Sequence, residues 1–492
     1  MLAELLPAPW RTAGDTVERL EALALALLAE ERPAPPAWTA TAAVLAMLQA
    51  EIAPALDRSG PAELAALLAA LDGRFVRPGP SGAPSRGRPD VLPTGRNFFS
   101  VDCRALPTPA AWRLGWASAG AVLQHYAERH GEWPKALVLS AWGTANMRTG
   151  GDDIAQALAL LGCRPVWDGA GGRVTGVEVI PLDQLGRPRV DVTFRVSGFF
   201  RDAFPQQIEL IDQAARLVAG LDEPADQNPL AAHVAAEVAR LAATGEPPER
   251  ARLRASARVF GSRPGAYGAG LQALIDERHW QDDGDLAAAY LAWGAHAYGS
   301  GREGLADGDQ LRRRLEQSQL VLHNQDNREH DLLDSDDYYQ FEGGVIAAIR
   351  HFSGRQPEAF HVDHSRPEAP RPRRLAEEIS RIVRGRAANP RWIQGAMRHG
   401  YKGAFEMVAT VDYLFAFAAT ARVVEDHHFD QLFDAYLEDT AVREFLQHAN
   451  PEGLREMAAR FAEAIDRGLW HPARNSVAMR LADLLALPVS SG

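Results

Sequence analysis

The spacing of hydrophobic and polar residues divides the chain into five regions. Ala and Leu at helical spacing predict a helical segment over residues 1–76. A Pro- and Gly-rich linker follows over 77–95, because such a composition cannot hold a regular element. Short apolar runs then predict an α/β domain over 96–275 and a mixed, mainly helical region over 276–403. Amphipathic repeats predict a helical C-terminal region over 404–492.

The predicted α/β domain repeats the order strand, loop and helix. Apolar runs of strand length lie at 135–142, 165–168, 176–181, 190–196 and 258–260. Three loops rich in glycine or aromatic residues follow, at 143–151, 197–202 and 261–270. This order is typical of a doubly wound parallel sheet, in which ligands bind beyond the carboxyl ends of the strands. The predicted fold class is therefore α/β plus all-α: a doubly wound parallel-sheet segment with glycine-rich ligand loops, then a mainly helical C-terminal region.

Composition narrows the classes of function. The 492 residues carry a net charge of -12, which argues against a nucleic-acid footprint. The two cysteines, Cys103 and Cys163, lie far apart and fit a reducing compartment rather than a disulfide framework or a thiolate zinc site. No apolar run approaches the ~20 residues of a membrane span, and no export signal is evident. We expect a cytoplasmic protein that binds neither a membrane nor nucleic acid.

The stretch 323–341 is the strongest candidate site. Six acidic residues and two histidines lie between 323 and 337, with aromatic residues directly behind them. If the stretch is helical, His330 and Asp334 are i,i+4 neighbours, so that imidazole and carboxylate converge on a divalent cation or a proton relay. The alternative is a helix N-terminus whose carboxylates complement the helix dipole. Neither an EF-hand nor H-E-x-x-H is present.

The loop 143–151 has a narrower interpretation. It is glycine-rich, but no Gly-Lys-Ser/Thr closes it, so we predict that this chain alone does not hydrolyse ATP. Arg148 beside a helix N-terminus can hold a carboxylate, while an ordinary βα loop explains the glycines equally well. His399 stands at a predicted helix C-terminus, where capping and the helix dipole explain the residues without any function.

Four separated motifs resemble one family. They are Gly143-Thr-Ala-Asn-Met-Arg-Thr-Gly-Gly151, Val196-Ser-Gly-Phe-Phe-Arg-Asp202, Pro264-Gly-Ala-Tyr-Gly268, and Asn389-Pro-Arg-Trp392 through His399-Gly-Tyr401. In this order they resemble the large subunits of class II tetrapyrrole chelatases, the CobN and magnesium chelatase H family. The stretches 97–102 and 323–341 are more similar to the cobaltochelatase branch. The resemblance covers roughly residues 60–488, and the chain resembles the C-terminal portion of longer family members.

The resemblance implies a ligase that forms nitrogen–metal bonds. Such enzymes insert Co2+ into hydrogenobyrinic acid a,c-diamide in aerobic cobalamin biosynthesis. The large subunit binds the tetrapyrrole and the metal, while AAA+ partners of the CobS and CobT type use Mg2+ and ATP. Alternatives are a magnesium chelatase H-type subunit, a non-catalytic tetrapyrrole-binding module, or a metal-dependent hydrolase that uses the acidic stretch.

From these motifs we predict three groups of site residues. The catalytic set is Glu329, His330, Asp331 and His399. The substrate-binding set is Asn146, Arg148, Thr149, Arg201, Tyr267, Tyr401 and Lys402, whose cations suit the peripheral carboxylates of a tetrapyrrole. The metal-binding set is His323, His330, Asp334 and Asp336, since imidazole and carboxylate ligands remain exchangeable. We expect the three loops and the stretch 323–341 to face one cleft.

Overall fold

Two compact units make up the chain, Met1–Ser100 and Val101–Gly492. The structure, a computed structural model, describes residues 2–6, 9–81, 84, 89–99, 101–169 and 172–486. The predicted linker 77–95 lies in the first unit, and part of it falls outside the described residues. The predicted boundaries at 275 and 403 both lie inside the second unit.

The first unit is mainly helical, as its alanine and leucine spacing predicts. Its helices are α1 (Ala13–Leu28), α2 (Thr39–Met47) and α3 (Ala53–Leu71), and its strands are β1 (Pro78–Pro80) and β2 (Asn97–Phe99). Thr12 and Asp15 form a capping box that fixes the start of α1. The strands β1 and β2 pair in parallel.

One helix of the first unit is long and apolar. A π-helical segment, Leu48–Ile52, joins α2 to α3, so that Thr39–Leu71 is a continuous helix of 33 residues. Its most apolar window has a mean hydropathy of 1.4, with 6% of that window buried. By length and composition this helix could cross a membrane. The sequence analysis missed it because Glu51 and two prolines interrupt the apolar pattern.

The second unit is organised on one eight-stranded sheet. Its strands are β3 (Ala136–Ala141), β6 (Asp191–Val196), β7 (Val259–Gly261), β8 (His296–Gly299), β9 (Arg302–Ala306), β10 (Leu320–Gln325), β11 (Glu358–Asp363) and β12 (Arg371–Arg374). The order across the sheet is β12-β11-β10-β3-β6-β7-β8-β9. The five strands from β11 to β7 are parallel, and the edge pairs β11–β12, β7–β8 and β8–β9 are antiparallel. The predicted fold class is confirmed.

Two of the predicted strands do not belong to this sheet. They are β4 (Cys163–Trp167) and β5 (Val174–Val179), which form a separate antiparallel hairpin. The prediction of four successive parallel strands was therefore wrong. The segment between β4 and β5 is too short for the crossover of a dozen or more residues that parallel pairing needs.

Helices cover both faces of the sheet. The first of the second unit are α4 (Pro109–His130), α5 (Gly143–Thr149), α6 (Asp152–Leu161), α7 (Leu182–Leu185), α8 (Gly198–Ala203), α9 (Pro205–Ala219), α10 (Pro229–Ala243), α11 (Pro248–Ala255), α12 (Gln272–Asp276), α13 (Asp283–Gly294) and α14 (Gly308–Gln317). Those that follow are α15 (Asp336–Tyr338), α16 (Gly344–Ser353), α17 (Leu375–Ile382), α18 (Pro390–Met397), α19 (Tyr401–Thr420), α20 (Asp426–Phe433), α21 (Thr440–Ala449), α22 (Pro451–Asp466) and α23 (Ser476–Leu485).

Alternate residues of the central strands point to two cores. Leu137 and Leu139 of β3 lie in the core beneath α4, α6 and α9, whereas Val138 lies in the other core. The C-terminal helices, including α19 and α22, pack into this second core. The sheet is therefore buried on both faces, which is why its strands read as continuous apolar runs.

Two predicted loops are short helices. Residues 143–149 form α5 and residues 198–203 form α8, each beginning directly after a strand. Gly150, with φ of 76°, ends α5 in the left-handed conformation that glycine adopts without strain. The helix begins within one residue of β3, so its side chains lie at the sheet edge where ligands are expected.

Candidate functional site

A cavity of about 380 Å³ lies at the carboxyl ends of β3 and β10, which are neighbours in the sheet. It is lined by Trp142, Thr144, Ala145, Arg148, His323, Asn324, Gln325, Asp326, His330, Asp334, Ser335, Asp337 and Tyr338. One wall is α5, and the other is the stretch after β10. The prediction that 143–151 and 323–341 share a cleft is confirmed.

The other two predicted loops support this cavity from behind. A Cβ added at Gly143 would lie 2.5 Å from the Phe199 ring, so glycine allows α5 and α8 to pack closely. A Cβ at Gly198 would lie 2.6 Å from Tyr267 in the same way. Among the described residues, none of 197–202 or 261–270 lines the cavity. The prediction that all four segments face one cleft is therefore wrong, because only 143–151 and 323–341 line the cavity.

His323 lines the cavity, and a second histidine, His361, lies next to it on the neighbouring strand. His323 of β10 pairs in register with His361 of β11, and their rings stack with centroids 5.1 Å apart. Trp142 Nε1 donates a 2.9 Å hydrogen bond to His323 Nε2. Glu342 lies beneath both rings, with Oε2 3.2 Å from His361 Nδ1 and 3.9 Å from His323 Nδ1. All three acid and imidazole side chains are buried.

Burial gives these three groups different proton affinities. It lowers the pKa of His323 well below the ordinary value, and the nearby His361 adds to this shift. Burial alone would lower the pKa of His361, but the Glu342 carboxylate raises it above the ordinary value. Burial likewise raises the pKa of Glu342. His323 is therefore the weaker base of the two imidazoles, and burial favours the neutral form of its ring.

The acidic stretch is not a helix. It begins in β10, continues as a turn, and becomes helical only at α15. In the turn, Asp331 N donates to Asp334 Oδ2 at 2.8 Å, and Leu333 N donates to Asp331 Oδ1 at 2.9 Å. The predicted i,i+4 relation of His330 and Asp334 is therefore wrong. Here aspartate side chains accept hydrogen bonds from backbone N–H groups, as they commonly do in turns, and the backbone does not form a helix.

Arginine fastens this turn at both ends. Arg148 binds Asp326 through two hydrogen bonds, at 2.8 and 2.9 Å. Arg386 binds Asp331 in the same bidentate way, at 2.7 and 2.8 Å, and lies 3.1 Å from Asp334. Asp331 and Asp334, predicted for proton and metal handling, are thus held in ion pairs. Arg148, predicted to bind substrate, is likewise engaged by a carboxylate of the protein.

Asp337 is a carboxylate that the sequence analysis missed. It lines the cavity, and its carboxylate makes no hydrogen bond or ion pair with any described residue. Burial, with Asp336 beside it, raises its pKa to about 6. Asp336, the predicted metal ligand, instead accepts a 2.7 Å hydrogen bond from Gln340. The signal in the sequence was only a pair of adjacent aspartates, and helix geometry decides which of them faces the cavity.

His330 lies where two cavities meet. Its Nδ1 is 2.9 Å from the Tyr338 hydroxyl, so Nε2 is the nitrogen left for a ligand. His330 and Gln325 also line a second cavity of about 220 Å³, on the other side of the turn. Asp331 and His361 line that second cavity as well. His330 thus keeps the central position that the sequence predicted.

The remaining predicted residues lie elsewhere. Asn146 and Thr149 are behind the cavity wall, where they hydrogen-bond to Asp153 and Asp152. Glu329 is exposed at the turn, where its backbone N–H donates to Asn327 Oδ1. His399 is exposed on the loop before α19.

The other predicted substrate-binding residues also lie outside the cavity; they are Arg201, Tyr267, Tyr401 and Lys402. Arg201 donates to the carbonyl oxygens of Ser262, Arg263 and Ala266, and so braces the loop 261–270. Tyr267 donates to Asp202, which Arg201 also binds. Tyr401 is exposed, and Lys402 forms an exposed ion pair with Glu406 at 3.3 Å.

A ready-made metal site is absent from the part of the chain that the structure describes. No group of three or more histidine, cysteine or acidic side chains there has an arrangement that could hold a metal ion. The stacked rings of His323 and His361 explain part of this result. The in-plane lone pairs of two stacked rings lie in nearly parallel planes, so they do not converge on one point between the rings. A cation entering the cavity would meet exchangeable ligands, not a closed cage.

The chain is similar to known chelatase subunits over nearly all of its length. The model of the CobN/magnesium chelatase family matches residues 2–477. The aerobic cobaltochelatase subunit CobN of Sinorhizobium sp is 58% identical over 484 residues, 98% of this chain and 38% of that protein. The CobN subunit of Pseudomonas aeruginosa is 58% identical over 94% of this chain and 37% of that protein.

A solved structure agrees with these sequence matches. The catalytic subunit of cobaltochelatase from Mycobacterium tuberculosis superposes with a TM-score of 0.87 at 46% identity. The match covers 96% of this chain and 40% of the other. The present chain therefore spans about two fifths of the length of the relatives that it matches.

Proposed function

Because the chain belongs to the CobN/magnesium chelatase family, we propose that it is the tetrapyrrole- and metal-binding part of an ATP-dependent cobaltochelatase. The substrates are Co2+ and hydrogenobyrinic acid a,c-diamide, and the site is the cavity between α5 and the turn after β10. ATP is hydrolysed by separate AAA+ subunits with Mg2+, in keeping with the absence of Gly-Lys-Ser/Thr from 143–151. The protein acts in the cytoplasm.

One observation carries this proposal: the cavity combines an imidazole and an unpaired carboxylate. Metal insertion removes water from Co2+, releases two protons from ring nitrogens and forms bonds from those nitrogens to the metal. His330 and Asp337 offer the borderline and hard ligands that bind Co2+ reversibly. With a pKa raised to about 6, Asp337 is ionised at pH 7 and still takes up a proton readily.

The size of the cavity is consistent with binding a metal ion and part of the tetrapyrrole. At about 380 Å³ it lies near the lower end of the ~300–1,000 Å³ that ligand pockets span. It accommodates a metal ion and one edge of a macrocycle. The rest of the tetrapyrrole then lies across the mouth of the cavity, where Arg148 and Thr144 form the rim.

Tetrapyrrole binding and cobalt insertion test the proposal together. The chain is titrated with metal-free tetrapyrrole, and quenching of protein fluorescence gives the affinity. Insertion is followed by absorbance after adding Co2+, ATP, Mg2+ and the AAA+ subunits. Saturable binding with ATP-dependent Co2+ insertion is expected. Absence of binding would sink the proposal, and insertion of Mg2+ in place of Co2+ would favour the magnesium branch.

A further inference from the structure

A buried hydrogen-bond network lies behind the cavity and joins its two walls. Its side chains belong to α4, α5, α6, β10 and the residue after β11. Its buried members are Ser118, Asn146, Asp152, Asp153, Gln156, Asn324 and His364. Only Asn324 among these lines the cavity. The network therefore reaches the cavity through the Asn324 side chain and through the backbone of Trp142.

Both walls of the cavity converge on the carboxylate of Asp153. Asn146 Nδ2, from α5, donates to Asp153 Oδ2 at 2.7 Å. Asn324 Nδ2, from β10, donates to Asp153 Oδ1 at 2.7 Å. The backbone N–H of Trp142 also points to Asp153 Oδ2, at 3.4 Å. Burial, with Asp152 beside it, raises the pKa of Asp153, while the three donors facing its oxygens favour the ionised form.

A second branch fixes the orientation of Asn324. Its Nδ2 also donates to Gln156 Oε1 at 2.7 Å, so both amide hydrogens are used. Gln156 Nε2 in turn donates to Ser118 Oγ, which leaves the Ser118 hydroxyl to donate to His364 Nε2, each at 2.8 Å. Reversing any one amide would place two donors or two acceptors face to face. The order of donors along the branch is therefore defined.

This branch ends at Asp152. His364 Nδ1 is 2.7 Å from Asp152 Oδ2, and Thr149 of α5 donates to Asp152 Oδ1 at 2.5 Å. The distances among Ser118, His364 and Asp152 match those of a hydrolytic triad. All three side chains are buried, however, and none of them lines a cavity described here. The arrangement is a structural link between the walls rather than a nucleophile.

From this geometry we infer that Asp153 is a positioning residue of the site, which holds Trp142, directly before α5, and Asn324 of β10 at the separation that the substrate requires. The inference rests on the proposed function for its substrate. It follows because the carboxylate is the point where both walls are hydrogen-bonded to one group. Losing it frees each wall separately while the aromatic and apolar packing of the core remains.

Three variants test the inference, and they should differ in how strongly they weaken tetrapyrrole binding. Asp153→Ala removes all three hydrogen bonds. Asp153→Asn keeps an acceptor for Asn146 and Trp142 but turns a donor toward Asn324. The double variant Asp153→Asn with Asn324→Asp restores that bond, but it places a carboxylate oxygen opposite Gln156 Oε1 and so loses the bond between residues 324 and 156. The matched control is Asp307→Asn, a buried aspartate remote from the cavity that binds Arg254 through two 2.8 Å hydrogen bonds.

The readouts separate positioning from general destabilisation. For each folded variant of the full chain, we measure metal-free tetrapyrrole affinity, the KM and kcat of cobalt insertion, and hydrogen–deuterium exchange over 142–149 and 320–326. In Asp153→Ala we expect affinity to fall at least tenfold, KM to rise with it, kcat to stay within about threefold, and exchange to quicken in both segments. Asp153→Asn should show a smaller loss, which the double variant recovers in part, because the bond to Gln156 stays broken. Asp307→Asn should alter melting alone.

Two results would overturn the inference: unchanged affinity and exchange in Asp153→Ala, or equal losses in Asp307→Asn. Failure of the proposed function gives a different pattern, because the unmodified chain would then bind no tetrapyrrole. In that case the exchange data still decide, since quickening confined to the two walls supports positioning and uniform quickening refutes it.

Discussion

The two ends of the central sheet treat buried charge in opposite ways. At the amino end of β6, Asp191 is buried between Arg258, Arg314 and His233. Arg258 Nε and Arg314 Nη1 each donate to its carboxylate at 2.6 Å. Burial alone would raise the pKa of Asp191, but the two arginines hold it well below the ordinary value. This end of the sheet is a closed cluster of paired charges.

At the carboxyl end, polar groups are left without partners. Buried side-chain atoms there that lack a hydrogen bond to any described residue include His323 Nδ1, Glu342 Oε1 and Asn324 Oδ1. Asp337 is unpaired in the cavity, and its pKa is raised rather than lowered. An unsatisfied buried polar group costs free energy, so it persists where something other than stability requires it. The paired charges at the amino end of the sheet therefore serve stability, and the unpaired groups at the carboxyl end suit the proposed chemistry.

The largest effect is expected at the paired end. Asp191→Asn leaves Arg258 and Arg314 as uncompensated buried cations, so the free energy of unfolding should fall by about 3–5 kcal/mol. Urea denaturation measures it. The matched control is Glu316→Gln on the same helix as Arg314, which breaks only an exposed pair with Arg312 and should change the value by ~0.5 kcal/mol or less. A loss below ~1 kcal/mol for Asp191→Asn would show that the buried ion pairs at this end of the sheet contribute little to stability.

At the open end, the same change should alter activity instead of stability. Asp337→Asn removes the unpaired carboxylate, so cobalt insertion should slow at least tenfold, or about 1.4 kcal/mol. The melting temperature should stay unchanged or rise, because a half-buried charge without a partner has been removed. Insertion assays and thermal melting are compared with Glu316→Gln. Insertion within twofold of the unmodified chain would contradict the role of Asp337.

The two ends should also respond to acid with opposite signs. The raised pKa of Asp337, about 6, means that the folded state binds a proton before the unfolded state does, so this group adds stability as pH falls from about 6 to 4. The lowered pKa of Asp191 means that its contribution is present above pH ~4 and is lost below it.

Denaturation of the unmodified chain and of Asp337→Asn, at several pH values between 7 and 4, measures the contribution of Asp337 to the free energy of unfolding. The difference between them should shift by about 1–2 kcal/mol over this range, with the unmodified chain gaining. Parallel curves would show that the Asp337 carboxyl has an ordinary proton affinity.

The smallest effect tests how far the open end extends. Lys402 is exposed and pairs with Glu406 at 3.3 Å, so Lys402→Ala should change the free energy of unfolding by ~0.5 kcal/mol or less. Tetrapyrrole affinity should stay within twofold, since Lys402 does not line the cavity. A tenfold loss of affinity would extend the substrate site to α19, as the sequence motif predicts.

Local pattern was enough to predict the fold class but not the strand order. The runs at 135–142 and 190–196 are buried strands because both faces of the sheet are covered, and this leaves a plain apolar signal. The strand β11, Glu358–Asp363, has only three apolar residues, and this short mixed pattern hid it. The hairpin β4–β5 gave the same local signal as a sheet strand, because pairing partners are not written in local spacing.

The candidate site was predicted in part for a similar reason. His323, His330 and Arg148 were found because they stand in recognisable stretches. His361 was missed because only the register of β10 against β11 brings it to His323. Glu342 was missed because only tertiary packing brings the segment after α15 to both rings. Asp337 was passed over for Asp336 because one residue of helix rotation decides which carboxylate enters the cavity.

The register of these strands also bears on how the protein folds. The hydrogen bond between Trp142 and His323 closes a loop of 181 residues, and that between Ser118 and His364 closes one of 246. Contacts of such separation form slowly and late, because the chain must first lose the entropy of the intervening loop. During synthesis the cavity cannot form until the turn after β10 has left the ribosome. Until β11 follows, β10 presents an unpaired strand edge, which favours aggregation of the nascent chain.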